Sequence, residues 1–419
     1  MPAWLQLKYA HANGLLNDDI FAVANILKVM SLHRVSDIYG PLPVLHFGET
    51  ENPYNSQEEC YMHFFETLDS AIAVLKDVVE NNPDAKPLEE VDALYHGDYS
   101  KWLKLANSVK LRLAMRICYV KPDLAKQYAM EAVRDGVMET ADDSALFQSW
   151  GSITIINPLE KIWNGYSDTR MGASMDSYLN GYNDPRLPVY FQPVTDGDNK
   201  GEYRGVANGM PNPQQDDYKV MSAPNVQEKS TDSPLRWMMA SEVAFLRAEG
   251  AMRGWTAEMG GTAEEFYNKG IELSFLENGL SADAAARYAA DETSKPTDFT
   301  DVSAANTKYN ISALGKIAIK WNAGASEEEQ LERIITQKWI AMFPNGTEAW
   351  SEFRRTGYPR LFPVRYNYPS SGVDTNKQIR RMVFPQSEYS NNGAAVQEAV
   401  KLLGGPDNGG TKLWWDKKN

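Results

Sequence analysis

Apolar residues recur at steps of three and four in a succession of blocks, which is the spacing of one face of a helix. Val23, Leu27 and Met30 form the first block, and Leu68, Ile72, Leu75 and Val79 the second. Trp102, Leu105, Val109, Leu113 and Ile117 form a third. Lys121-Pro122 then ends one helix and Asp123 to Gly136 carries another, since proline has no amide to give a helix interior. Past the middle of the chain the period resumes at Met239, Val243, Leu246 and Gly250, with Ala244, Ala248 and Ala251 small enough for close helix approach. Thr262 is placed to cap a helix running through Phe266, Leu273, Leu276 and Leu280, with Glu264 and Glu265 in its first turn. Ser326 ahead of Glu327 to Glu329 repeats that arrangement before Leu331, Ile335, Trp339 and Met342.

The pattern predicts an all-α chain: a tetratricopeptide-like superhelix of helical pairs with long irregular loop excursions. No self-similarity at the roughly 34-residue tetratricopeptide period survives, so the repeats are degenerate. The helical-pair core is expected mainly in 14–136 and 236–343 of one domain spanning 1–419. Between 137 and 235, and again between 344 and 393, glycine, proline, asparagine and aromatics replace the period. These excursions are too rich in large rings to be linkers, so they are expected to pack on the helical body and carry a surface site.

Composition removes several function classes. Hydrophobic residues make up 43% of the 419, and no run approaches the length that crosses a bilayer. The net charge of −14 comes from 56 acidic and 42 scattered basic residues, which argues against nucleic acid as a partner. Cys60 and Cys118 read as two buried free thiols. His11, His33, His46, His63 and His96 show no HExxH spacing, no GxSxG element occurs, and Gly201 to Gly205 lacks a phosphate-cradling context, so catalysis, metal and cofactor are not expected. Asp142-Asp143 reads as solvated surface and not as a calcium loop.

Several segments in order carry a resemblance: Leu32-His-Arg-Val-Ser-Asp-Ile-Tyr-Gly-Pro-Leu-Pro43, the stretch from Lys101 to Arg116, Asn183-Asp-Pro-Arg-Leu-Pro188, and Glu242-Val-Ala-Phe-Leu-Arg-Ala-Glu249. With them stand Lys338-Trp-Ile-Ala-Met-Phe-Pro344, Phe353-Arg-Arg-Thr-Gly-Tyr-Pro-Arg-Leu-Phe-Pro-Val364 and the tail from Gly404 to Asp416. In these the chain resembles the SusD/RagB family, specifically its SusD-like subgroup from gut and oral Bacteroidetes. The resemblance implies a surface lipoprotein of the outer membrane, a lid for a SusC-like TonB-dependent transporter, which binds a nutrient, usually a glycan or oligosaccharide, and catalyses nothing. It also implies a signal peptide and a lipidated cysteine, which do not precede Met1; a chain lacking its N-terminal part is the expected explanation. A mainly structural or protein-interaction role, or a peptide cargo, is the alternative.

A sugar is held by laying its C–H face on a ring while amides and charges take its hydroxyls. With 11 Trp and 21 Tyr, the chain has the materials. Trp163 and Tyr166 are the expected stacking surface, with Asn164, Asp168 and Arg170 as polar partners. Tyr182 and Arg186, beside Tyr178 and Asn183, form a second possibility on a proline-stiffened shelf. Against these stands the reading that Trp163 anchors its loop and Arg186 ties to a buried carboxylate. Arg354, Arg355 and Tyr358 are expected to build the fold, and Trp414 and Trp415 to clamp the tail.

Overall fold

In the computed structural model, which describes residues 2–167, 169–211, 214–225, 233–302 and 304–418, helices start where the sequence supplies an oxygen to first-turn amides. Ser56 and Thr262 each form a capping box with the glutamate three residues on, Glu59 and Glu265. Ser326 accepts from the Glu329 amide.

The longer helices are α1 (Pro2–Ala12), α2 (Asp18–Tyr39), α3 (Gln57–Asn81), α4 (Tyr99–Arg116), α5 (Pro122–Arg134), α6 (Ala173–Gly181), α7 (Ala240–Met252), α8 (Ala263–Leu276), α9 (Ala282–Ala289), α10 (Glu327–Ala341), α11 (Gly346–Thr356) and α12 (Gln386–Leu403). Two short strands, β1 (Ala145–Phe147) and β2 (Leu235–Met238), pair antiparallel across the long excursion. Helices stack as pairs, α2 on α3, α4 on α5 and α7 on α8; α4 packs on α7, α7 on α10, α10 on α11, and α11 returns to α2. The all-α superhelix is thus drawn into a closed circuit. Helices α6 and α11 lie in stretches expected to be irregular. The face α11 buries is made of Glu348, Ser351, Glu352, Arg354, Arg355 and Thr356 beside a single Phe353, so hydrophobic periodicity has little to register there.

That face belongs to a buried ionic network. Arg112 of α4 forks onto Glu242 of α7 at 2.7 and 2.8 Å. Arg116, one turn on, donates to Glu348 and Glu352 of α11 and lies 3.4 Å from Asp37 of α2. Arg355 forks onto Glu249 of α7 at 2.7 and 2.6 Å and also holds Glu352, which Lys338 of α10 approaches at 3.1 Å. Every one of these groups is buried. The tail enters the same network: the Trp415 indole donates to Asp37 at 2.8 Å, and Arg380 forks onto Asp416. The expected roles of Arg355 and of the terminal tryptophans are therefore seen directly, as is the burial of both free thiols.

A larger apolar core surrounds α2–α5 and α7, and a second, rich in tyrosine and phenylalanine, gathers α6 and α8–α10. The second core absorbs much of the aromatic content of the first excursion, including Tyr178, Tyr182, Tyr190 and Phe191.

Removing one member of a buried ion cluster strands its partners. Glu352→Ala is expected to cost about 3–5 kcal/mol in urea unfolding, whereas Glu398→Ala, at the exposed pair with Lys401, changes stability by less than about 1 kcal/mol. Burial alone would raise the Glu249 and Glu348 carboxyls, but Arg355 with Arg253, and Arg116 with Arg112, outweigh it and hold each down to about 2. A carboxyl depressed in the folded state stabilises above its unfolded pKa and loses that contribution as pH falls through the folded value. Glu352 is likewise held below the usual carboxylate range, by Arg355 and Lys338 against its burial, whereas Asp37, raised by burial, acts in the opposite sense. Urea unfolding is therefore expected to show stability falling between about pH 4.5 and pH 2.

Candidate functional site

The tract leading to Tyr166 is shaped by its caps. Asn157 accepts from the Leu159 amide, Pro158 occupies the first helical position, and the turn then loosens into a π-helix over Lys161–Tyr166. Ser167 ends it in the left-handed region at φ 53°, with its amide donating to the Trp163 carbonyl at 2.9 Å. Wide turns of this kind place side chains where a regular helix would not. Tyr166 stands 58% exposed, with the Lys161 ammonium 5.8 Å from its ring centroid.

Trp163 is half-buried, and the Arg170 guanidinium covers one face at 4.7 Å. Arg170 is fixed by the Thr169 and Lys219 carbonyls at 2.8 and 2.5 Å. Trp163 thus holds Arg170 in place, and Tyr166 is the ring that faces outward. Asn164 lies in the π-helical turn, with its side chain outside the described atoms, and Asp168 lies outside the described residues.

Tyr166, Ser167 and Arg170 form one wall of a groove of about 720 Å³. Its floor is Met171-Gly172, bridged in parallel to Val206, with the Val206 amide donating to Met171 and the Ala173 amide to Val206, both at 2.8 Å. Asn208 and Met210 form the far wall, and Gln214, Gln215 and Lys219 the rim. Gln215 ties the walls together by donating to the Ser167 carbonyl at 3.4 Å. Beneath, the buried Tyr218 hydroxyl contacts Met210 Sδ at 3.2 Å and the Asp301 carboxylate at 3.3 Å. Gly209, at φ 72°, lies so near Val364 that a Cβ would come within 2.4 Å of Cγ1. This contact seats the following segment, whose Tyr366 and Tyr368 are exposed and meet edge to face at 5.5 Å.

The arrangement offers an outward ring, side-chain amides and backbone carbonyls around a concave floor, which suits a hydroxyl-rich neutral ligand. Among the described residues no Asp, Glu, His or Cys lines this groove, and no described group of Asp, Glu, His and Cys residues clusters for a metal.

Tyr182 and Arg186 are not brought to it. Arg186 is wholly buried, forked onto Asp184 at 2.9 and 2.6 Å, donating to Ser274 and Gln337, and lying beside the Phe275 and Tyr288 rings. The buried Tyr182 hydroxyl donates to the Ile317 carbonyl at 3.2 Å. The second shelf is corrected on this geometry: a guanidinium saturated inside the aromatic core has no surface to offer. Conversely, Asn208, Met210, Gln215, Tyr366 and Tyr368 were not singled out from sequence. The turn dipeptide Asn208-Gly209 and the exposed-loop pattern Tyr366-Asn367-Tyr368 are the signals that mark them.

Gly209→Ala adds a Cβ at positive φ against a neighbouring side chain, and is expected to cost about 1–3 kcal/mol by urea unfolding.

The model of the SusD-like family, described as Susd and RagB outer membrane lipoprotein, matches residues 1–416. Among solved structures, a chitin-binding SusD homologue from Flavobacterium johnsoniae is 41% identical at a TM-score of 0.91, covering 99% of this chain and 84% of that one. A SusD-like protein from Bacteroides thetaiotaomicron is 40% identical at 0.92, covering 100% and 85%. A SusD homologue from Bacteroides vulgatus is 36% identical at 0.89, covering 96% and 80%. No curated protein matches.

Proposed function

This chain belongs to the SusD-like family of outer-membrane lipoproteins, and we propose that it captures a glycan or oligosaccharide at the cell surface and passes it to a SusC-like TonB-dependent transporter, for which it serves as the lid. The observation that carries the reading is the exposed Tyr166 ring at the wall of a groove lined by Asn208, Gln214 and Gln215. Sugar recognition needs an apolar face beside donors and acceptors that do not compete through a net charge. Here Lys219 is paired with Asp216 at 2.9 Å, and Arg170 is held against Trp163 and two carbonyls. A relative of this chain that binds chitin supports the substrate class. The family's description as an outer membrane lipoprotein supports a lipid-anchored position at the outer membrane, and no described helix is long and apolar enough to cross a membrane. The chain acts by binding and not by catalysis.

The test is binding of the purified chain to an array of host mucin glycans, dietary polysaccharides and short peptides, paired with Tyr166→Ala. Because Tyr166 is exposed, the variant is expected to keep its melting temperature and to lose roughly tenfold or more in affinity for one glycan class. Undiminished glycan binding by the variant sinks this site; binding only to peptides, or a blank array, moves the reading to a peptide cargo or to a scaffold for the transporter.

A further inference from the structure

A second groove, of about 600 Å³, opens beside α10 and shares no lining residue with the first. Two loops meet there at one hydroxyl, and a third lies against the second. Tyr178 of α6, itself buried, accepts from the Arg360 amide at 3.1 Å. Gly315 stands so close that a Cβ would come within 2.6 Å of the same oxygen and 3.1 Å of Pro296. At or next to each of these points sits a cation: Lys295 beside Pro296, Lys316 beside Gly315, and Arg360 itself, all three lining the groove.

Four carboxylates also line it, and each is already engaged. Glu292 pairs with Lys320 at 2.9 Å and Glu329 with Arg333 at 2.7 Å. Glu328 takes Lys418 at 2.7 Å and the Tyr358 hydroxyl at 2.9 Å. The buried Glu332 receives only Nε of Arg360, at 3.0 and 3.1 Å. The terminal amino groups of the half-exposed Arg360 therefore have no hydrogen-bond partner among the described residues. Lys295 and Lys316 are exposed, and among the described residues neither has a carboxylate within ion-pair distance. A chain of net charge −14 thus gathers two unpaired lysines and the open end of the Arg360 fork in one concavity, where Glu332 is held by Arg360 and the other three carboxylates by Lys320, Arg333 and Lys418.

We propose that this groove binds the anionic substituents, carboxylate or sulfate, of an acidic oligosaccharide. Arg360 supplies a planar fork and the two lysines mobile point charges. A nucleic acid needs a longer basic track than this acidic chain carries. The pocket is discrete, and the exposed Leu314 gives its lining apolar surface for a sugar face. The site stands on its own geometry and does not depend on ligand binding at Tyr166.

The experiment titrates the full chain with a galacturonate oligomer, a sulfated oligosaccharide, a neutral oligosaccharide and oligoglutamate, by calorimetry at low and high salt. The double variant Lys295→Ala/Lys316→Ala, both positions being exposed, is expected to fold normally and to weaken binding of the anionic saccharide about tenfold. Binding of the unchanged chain should fall as salt rises, and Tyr166→Ala should leave it intact. Which of the two anionic saccharides binds tells carboxylate from sulfate. The proposal is overturned if neither binds, if the double variant binds as well as the unchanged chain, if Tyr166→Ala abolishes the binding, if the neutral sugar binds equally at this groove, or if oligoglutamate binds more tightly than either saccharide.

Discussion

The structure turns on the ionic cluster that Arg112, Arg116 and Arg355 make with Glu242, Glu249, Glu348 and Glu352. Degenerate helical pairs with general apolar faces pack in several registers at similar cost. A guanidinium fork does not, because both of its hydrogen bonds are made only when the two helices stand at one height and one rotation. The forks run from α4 to α7 and from α11 to α7, and Arg116 links α4 to α11, so the cluster fixes how the N-terminal pairs meet the C-terminal ones. Its contribution lies in register more than in net stability. Replacing every member at once by well-packed apolar groups need not destabilise the fold, whereas removing one leaves an uncompensated charge where water cannot reach it.

This explains which parts of the fold were legible in the sequence. Val109, Leu113 and Ile117 announce α4 because its outer positions meet the apolar core, and Thr262 and Ser326 announce helix starts because capping is local chemistry. Helix α11 is invisible to the same reading. Its buried residues are Glu348, Ser351, Glu352, Arg354, Arg355 and Thr356 beside a single Phe353, which by composition resembles a solvated face. Their partners lie far away in the chain, on α4 and α7, and pairing at that distance leaves no periodic trace. The burial of Arg116 is likewise legible only once Glu348 and Glu352 are known to face it.

The candidate site divides along a similar line. The exposure of Tyr166 follows from a loop dense in rings, amides and charge, which must present some of them outward. Tyr182 and Arg186 were not separable from Tyr166 and Arg170 by composition, since their loop carries the same residue types. What distinguishes the two sets is what lies behind each polar tip. Arg186 finds Asp184, Ser274 and Gln337, and Tyr288 finds Asp184 as well, so that segment is drawn inward as an aromatic core with saturated hydrogen bonds. Among the described residues Tyr166 has the Lys161 ammonium near its ring and no core of rings behind it, and stays outside.

The separation of duties has a mechanical consequence. The register of the helical body is set by charges buried beyond the reach of solvent, while the groove at Tyr166 is assembled by backbone bridges such as Met171 to Val206 and by the close seat of Gly209 on Val364. Backbone hydrogen bonds do not depend on which side chain stands at each position. A wall residue such as Asn208 can therefore change the side chain it presents without disturbing either the backbone bridges or the ionic cluster. A fold arranged in this way holds its scaffold by a few demanding contacts and leaves the wall of this groove open to substitution, which suits a family that binds nutrients on one architecture.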